Sequence, residues 1–327
     1  MNTTINSIVL VRGAQRHSRP LHALATTVGT FAALAMLGLY VPAWLTYLIT
    51  VAAGNALVSL GIVTLMRGGV VSFGQGMFFA AGGYGAALLF NHAGWTDALA
   101  LAIAGGALAM VLALPFAPLL ARYRGIFFAT LTLALSMVAY GVLMKWPALG
   151  GSDGFTVGRS TLLGQRLDGP EGSYKLFLLT MAFAAVMGFL ARAYFASPVG
   201  LVTLAARDNE LRVEYLGASV RRLIGANFLM AALFGGVGGA LVVLSLGHVE
   251  PAFSYWTTSG EFVFIAVLAG YRSVPAVFIA SFLLEIVRSF SSAYFPNTWQ
   301  LVLGLFLLLV IRFLPQGIGS LWTREAR

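Results

Sequence analysis

Apolar residues dominate the chain in long uninterrupted runs, broken by short polar intervals. After a polar opening with Arg12, Arg16 and Arg19, an apolar run extends from Leu21 to Val41. It is too long for a signal-peptide core and lacks a cleavage site, so it reads as a first span. Further runs lie at about 43–66, 70–90, 98–120, 125–146 and 175–195, then 223–247, 257–271, 274–293 and 298–314. Each of these runs approaches the roughly 20 residues that an α-helix needs to cross a bilayer. The eighth, 257–271, is short enough to be a partial or re-entrant span. The pattern predicts an all-α, polytopic integral membrane protein of about 9–10 transmembrane helices. Its layout is a polar N-terminal segment, 1–21, followed by one membrane domain, 22–320.

Composition agrees. Of 327 residues, 59% are apolar and 9% charged, whereas a soluble domain carries about 25% charged residues. Glycine, at 38 residues, suits helices whose backbones approach closely. Cysteine is absent, which removes disulfides, thiolate metal sites and a cysteine nucleophile. The net charge of +9 is spread singly between apolar runs, so it orients a membrane protein and does not track phosphates; nucleic acid is not an expected partner. With the N-terminus cytoplasmic, fifteen basic residues fall inside and five outside. That bias predicts two cytoplasmic termini.

Two polar intervals stand out. Residues 147–174 form the longest outer loop, read as flexible. Residues 197–222 form the longest inner one, which opens with Ser197-Pro198. A charged helix is expected over 203–216, carrying Arg207, Asp208, Asn209, Glu210, Arg212 and Glu214 and stopping at Gly217. Leu204, Leu211 and Tyr215 make a narrow apolar stripe on it.

No P-loop is present, because neither Lys145 nor Lys175 follows the required glycines. His17, His22, His92 and His248 show no helical metal-ligand spacing. Gly150-Gly151-Ser152-Asp153-Gly154 matches a hydrolase elbow in letters but follows an apolar helix, so a loop is the better reading. The GxxxG within Gly235-Gly236-Val237-Gly238-Gly239 is accounted for by close helix packing, with a gating hinge as the alternative. Ionisable groups at membrane depth are costly and mark candidate pathways. Glu285 lies inside an apolar run with Arg288 three residues on, which predicts an internal pair or a pathway role. Glu261 is expected nearer the outer interface. Asn55 and Asn227 fit interhelical hydrogen bonds or ligand contacts.

Four stretches together resemble the LivM-like permeases of importers for branched-chain amino acids, members of the ATP-binding-cassette class. The first is Gly69-Val70-Val71-Ser72-Phe73-Gly74-Gln75, continuing to Phe78-Phe79 and Gly82-Gly83-Tyr84. The second is Arg124-Gly125 with Phe127-Phe128-Ala129, followed one span later by the 150–154 glycine loop. The third is Arg207-Asp208-Asn209-Glu210 with Gly217, and the fourth Arg312-Phe313-Leu314-Pro315-Gln316-Gly317. The likeness covers about residues 50–320. Gln75 stands where many members have histidine, and Ala269-Gly270-Tyr271-Arg272-Ser273 replaces the family's Gly-Gly-x-Gly-Ser. Related urea permeases share the Ser-x-Gly-Gln-Gly pattern.

The resemblance implies a non-enzymatic permease subunit in a bacterial plasma membrane. Its implied partners are a homologous permease, two cytoplasmic ATPases, a periplasmic binding protein and membrane lipid. ATP would be used by the partners, with no cofactor on this chain. Arg207, Asp208, Asn209, Glu210, Glu214 and Gly217 would form the ATPase-coupling loop. Ser72, Gln75, Asn55, Glu261 and Glu285 would line the pathway. A urea or short-chain amide permease is the alternative substrate class, and a secondary transporter a further one, for which Glu285 is the strongest coupling group. An integral membrane enzyme would need a His, Asp or Glu cluster at one face, and none is evident.

Overall fold

Glycine decides how the helices meet. The computed structural model describes residues 40–314 and 316–321, with 29, 36 and 38 besides. The polar segment 1–21, most of the expected span Leu21–Val41, and Pro315, Arg324 and Arg327 lie outside the described residues.

The helices are α1 (Ala43–Arg67), α2 (Gln75–Ala93), α3 (Ala98–Ala113), α4 (Ala117–Leu120), α5 (Gly125–Lys145) and α6 (Gly169–Ala196). Then come α7 (Pro198–Asp208), α8 (Glu210–Tyr215), α9 (Val220–Leu246), α10 (Trp256–Ala269), α11 (Val274–Tyr294) and α12 (Trp299–Phe313). Among the described residues, six helical segments are long and apolar enough to cross a membrane: α1, α5, α6, α9, α11 and the stretch Trp299–Leu321.

Helix α9 is the hub. A Cβ added at Gly236 would meet the Gly105 carbonyl of α3 at 2.7 Å, and one at Gly238 the Gly54 carbonyl of α1 at 2.5 Å. At Gly239 it would run into the Phe79 carbonyl of α2. In hydrocarbon, helices associate through such van der Waals contact because burial from water no longer drives them together. The glycine run is therefore a packing surface toward three neighbours.

Three expected spans are modified. The 98–120 run ends as α3 before Pro115 and resumes as the single turn α4: Leu114 keeps helical dihedrals, but Pro115 has no N–H to donate to the ladder. The 70–90 run is non-helical over Val70–Gly74, and α2 starts only at Gln75. The 257–271 run becomes α10, whose 14 residues rise about 21 Å, short of the roughly 30 Å hydrocarbon core. The chain reaches it through a 3-10 turn, Pro251–Ser254.

These two broken spans start their helices side by side. The Gly76 amide of α2 donates to Ser259 Oγ of α10 at 2.9 Å. Ser136 Oγ, at the middle of α5, donates to the Ser254 carbonyl at 2.7 Å. The Phe73 amide donates to Thr132 Oγ1 of α5 at 3.1 Å. Irregular backbone survives at membrane depth only where protein groups satisfy it, and serine and threonine do so here.

One end of the bundle carries small β-pairs. Strands β1 (Phe155–Thr156) and β4 (His248–Val249) pair antiparallel, with Phe155 opposite Val249. Strands β2 (Thr161–Leu162) and β3 (Gln165–Arg166) form a hairpin. Asp97 accepts from the Leu99 and Ala100 amides to cap α3, while its other oxygen accepts from the Leu163 amide at 2.8 Å. Residues 147–174 are therefore built, not loose. Within them Gly150 and Gly154 take positive φ, and Gly154 sits so close to the Val249 carbonyl that no side chain fits. The glycine pentapeptide is a turn that seats the loop on β4. The opposite end holds Arg67, Arg124, Arg207 and Arg221 at the helix turns.

Candidate translocation cavity and coupling surface

A cavity of about 600 Å³ opens between α1, α2, α9, α10, α11 and α12 toward the β end. Its deepest polar groups sit where a pathway would need them. Asn55 is at the middle of α1 and Glu285 at the middle of α11. Asn55 Nδ2 donates to Glu285 Oε2 at 3.3 Å. Glu261, on α10, takes the ion pair with Arg288, Nη1 to Oε2 at 3.0 Å.

This pairing corrects one expectation. Arg288 does not bridge to Glu285 on its own helix; it reaches across to Glu261. The i,i+3 spacing leaves Glu285 within reach on the same face, but α10 places the Glu261 carboxylate 3.0 Å from the guanidinium and takes the pair. Glu261, in the second turn of α10, lines the cavity beside Glu285. Among the described residues Glu285 has no ion pair.

The facing wall is apolar. Phe79, Phe253 and Phe262 cluster with ring centroids 5.2 and 5.1 Å from Phe79, and Val51, Val242 and Leu246 complete it. Thr257, Thr258 and Gln300 add neutral polar groups, and Glu250 a third carboxylate. Such a chamber fits a small solute that carries charge at one end and hydrocarbon at the other.

Of the five expected pathway residues, Asn55, Glu261 and Glu285 come together. Ser72 and Gln75 do not join them. Both are fully buried. Ser72 Oγ accepts from the Gly74 amide at 3.2 Å. Gln75 faces α9, where a Cβ at Gly235 would meet its Oε1 at 3.0 Å, and neither of its amide atoms has a hydrogen-bond partner. Asn227 is an interhelical partner, accepting from Tyr194 Oη of α6.

At the basic end, the expected single helix over 203–216 is two. Ser197 Oγ caps α7 through the Gly200 amide at 3.1 Å. Asn209, with φ −159°, then leaves helical geometry and caps α8 by accepting from the Arg212 amide at 2.9 Å. The side chain of Asn209 competes with the helix for its own backbone, as asparagine does. Gly217, at φ +88°, ends α8 as expected. Of the expected stripe, Leu204 is half-buried, while Leu211 and Tyr215 face outward together with Leu216. Leu211, Tyr215 and Leu216 are 67%, 89% and 83% exposed.

The α7–α8 corner ties separate turns together. The Arg207 guanidinium lies 3.6 Å from the centroid of the Tyr271 ring, in the α10–α11 turn. Glu210 Oε1 accepts from Arg124 Nε, at the start of α5, at 2.7 Å. Arg67, closing α1, stacks on Phe195 at 4.3 Å and donates to the Tyr271 carbonyl at 3.3 Å. Asp208 and Glu214 stay exposed. Residue spacing singled out neither Arg67 nor Tyr271. The usable signal for Tyr271 was its place in the stretch that departs from the family's glycine pattern.

Residues 44–311 match the family described as branched-chain amino acid transport system / permease component. The chain is 26% identical over 288 residues to the high-affinity branched-chain amino acid transport system permease protein LivM of Escherichia coli (strain K12), covering 80% of this chain and 67% of that protein. The protein of the same name from Salmonella typhimurium (strain LT2) matches with the same identity and coverage. No solved structure matches the chain.

Proposed function

Because the chain belongs to the branched-chain amino acid transport permease family, we propose that it is the membrane subunit through which an ATP-driven importer passes leucine, isoleucine and valine. The observation that carries this reading is the cavity. It reaches mid-depth, presents carboxylates and one guanidinium on one side and aromatic and aliphatic groups on the other, and so suits an amino acid with an apolar side chain. Urea would have no use for the apolar wall.

The rest of the molecule supports the assembly. The arginines at the helix turns support a reading in which that end is cytoplasmic; the cavity mouth and the 147–174 loop would then face outside, and both termini would lie inside a bacterial plasma membrane. The exposed Leu211, Tyr215 and Leu216, flanked by Asp208 and Glu214, form a mixed apolar and acidic surface suited to an ATPase subunit. A homologous permease would complete the path, two ATPases would bind the nucleotide, and an external binding protein would deliver the substrate. No cofactor is assigned to this chain.

The test is uptake into vesicles holding the reconstituted assembly. ATP-dependent accumulation of leucine is expected, with no accumulation when ATP is withheld. Accumulation of urea with no response to leucine would overturn the substrate, and uptake driven by an ion gradient without ATP would overturn the class.

A further inference from the structure

We propose that the outer cavity reads the two charges of the amino acid separately, Glu285 taking the α-ammonium and Arg288 the α-carboxylate. The inference rests on the amino-acid reading above but assigns roles that the reading does not contain.

The argument begins from charge. Among the described residues, three carboxylates, Glu250, Glu261 and Glu285, share the cavity with a single guanidinium, Arg288. Arg288 pairs with Glu261 at 3.0 Å, so Glu285 is left at mid-membrane with one amide donor, Asn55. A carboxylate there without a cation is expensive, and a ligand ammonium beside it supplies the missing charge. The guanidinium carries five N–H donors, of which one nitrogen faces Glu261. Its remaining donors can hold a carboxylate while that pair stays intact.

Spacing brings the two roles within one ligand. Glu285 and Arg288 are three residues apart on α11, which puts their Cβ atoms about 5–6 Å apart on one face. Two groups borne on a single α-carbon can meet both ends of that interval. The side chain of such a ligand then points to Phe79, Phe262 and Val242 across the cavity. A zwitterion adds no net charge, so filling the site leaves the balance of the cavity unchanged. An amine alone or a carboxylate alone satisfies only one of the two groups.

Saturation-transfer NMR on the assembled complex in nanodiscs, without binding protein or ATP, tests the assignment with three ligands. They are leucine, leucinol (ammonium only) and isocaproate (carboxylate only). Leucine should bind about tenfold or more tightly than either analogue, the size of one charge-assisted hydrogen bond. Glu285→Gln should weaken leucine and leucinol by about tenfold and leave isocaproate unchanged. Arg288→Gln should do the reverse, sparing leucinol. The double variant Glu261→Gln/Arg288→Gln removes the carboxylate that the single change strands, and should show the same pattern if the ligand contact and not misfolding is the cause. Equal weakening of all three ligands by Glu285→Gln, or leucine binding to both variants as to the parent, overturns the assignment even if leucine uptake is intact. Retention of the ligand pattern in an assembly that fails to import leucine supports the site while overturning the importer's substrate.

Discussion

Gly54 and Asn55 are neighbours on α1, yet they belong to two regions built on opposite terms. Gly54 faces α9, where Gly238 comes so near that a Cβ there would stand 2.5 Å from the Gly54 carbonyl. Asn55 faces a chamber of about 600 Å³. The first region contains backbone against backbone and no space. The second contains charge, aromatic rings and room for a solute. One helix serving both means that the cavity walls are held by a rigid seam, so polar groups can be kept at mid-membrane without the bundle collapsing on them. Close packing at glycine is what makes the hollow possible.

The largest effect should come from breaking the seam. Gly236→Leu forces a side chain onto Gly105 and Ala109 backbone and side-chain atoms; overpacking costs about 1–3 kcal/mol where neighbours can yield, and backbone cannot. Loss of folded protein by size-exclusion of the detergent extract is the expected outcome. A folded, transporting variant would show that α9 can tilt away, and the seam would not be rigid.

Filling the other region should separate fold from transport. Thr257→Leu enlarges a half-buried cavity residue, so stability should change by less than about 1.5 kcal/mol, while leucine uptake falls about tenfold or more. Uptake equal to the parent would exclude the chamber from the path.

The basic end gives a subtler comparison. Asp208→Lys alters an exposed residue whose side chain makes no hydrogen bond or ion pair among the described residues, whereas Glu210→Lys breaks the pair with Arg124, the two side chains being 39% and 30% exposed. An exposed pair is worth about 0–1 kcal/mol, so both variants should keep their thermal midpoints. ATP-driven uptake should nevertheless fall in both, and ATPase activity should detach from substrate more fully in Glu210→Lys. Full uptake in the double variant would reduce the α7–α8 corner to a connector.

The smallest effect is on sidedness. Cysteines placed at Ser152, beside the β end, and Ser219, beside the basic end, should leave transport unchanged in this cysteine-free chain. They should label from opposite faces of the membrane. Labelling from one face would remove the assignment of outside and inside.

Hydrophobic runs and turn residues made much of this legible from the chain alone. The apolar stretches anticipated each long helix from α1 to α12. Ser197, Gly217 and the glycine run of α9 act as their residue types dictate, because capping and close approach depend on local backbone chemistry. The break at Asn209 was also local, yet helix-favouring neighbours on both sides hid it. The similarity to permeases was carried by short ordered motifs, and the family match bears it out.

What the chain alone determined is composition-driven: apolar runs must be helical in a bilayer, because no other open element satisfies its own hydrogen bonds there. Two features needed the tertiary structure. The non-helical legs at 70–74 and 250–255 are tolerated because Thr132 and Ser136 of α5 stand beside them. Arg288 pairs with Glu261 and not with Glu285 because the start of α10 brings that carboxylate to 3.0 Å. Periodicity ranks residues along one helix face. It carries no information on which neighbouring helix supplies the opposite charge, and so the unpaired carboxylate at the centre of the cavity became visible only once the helices were assembled.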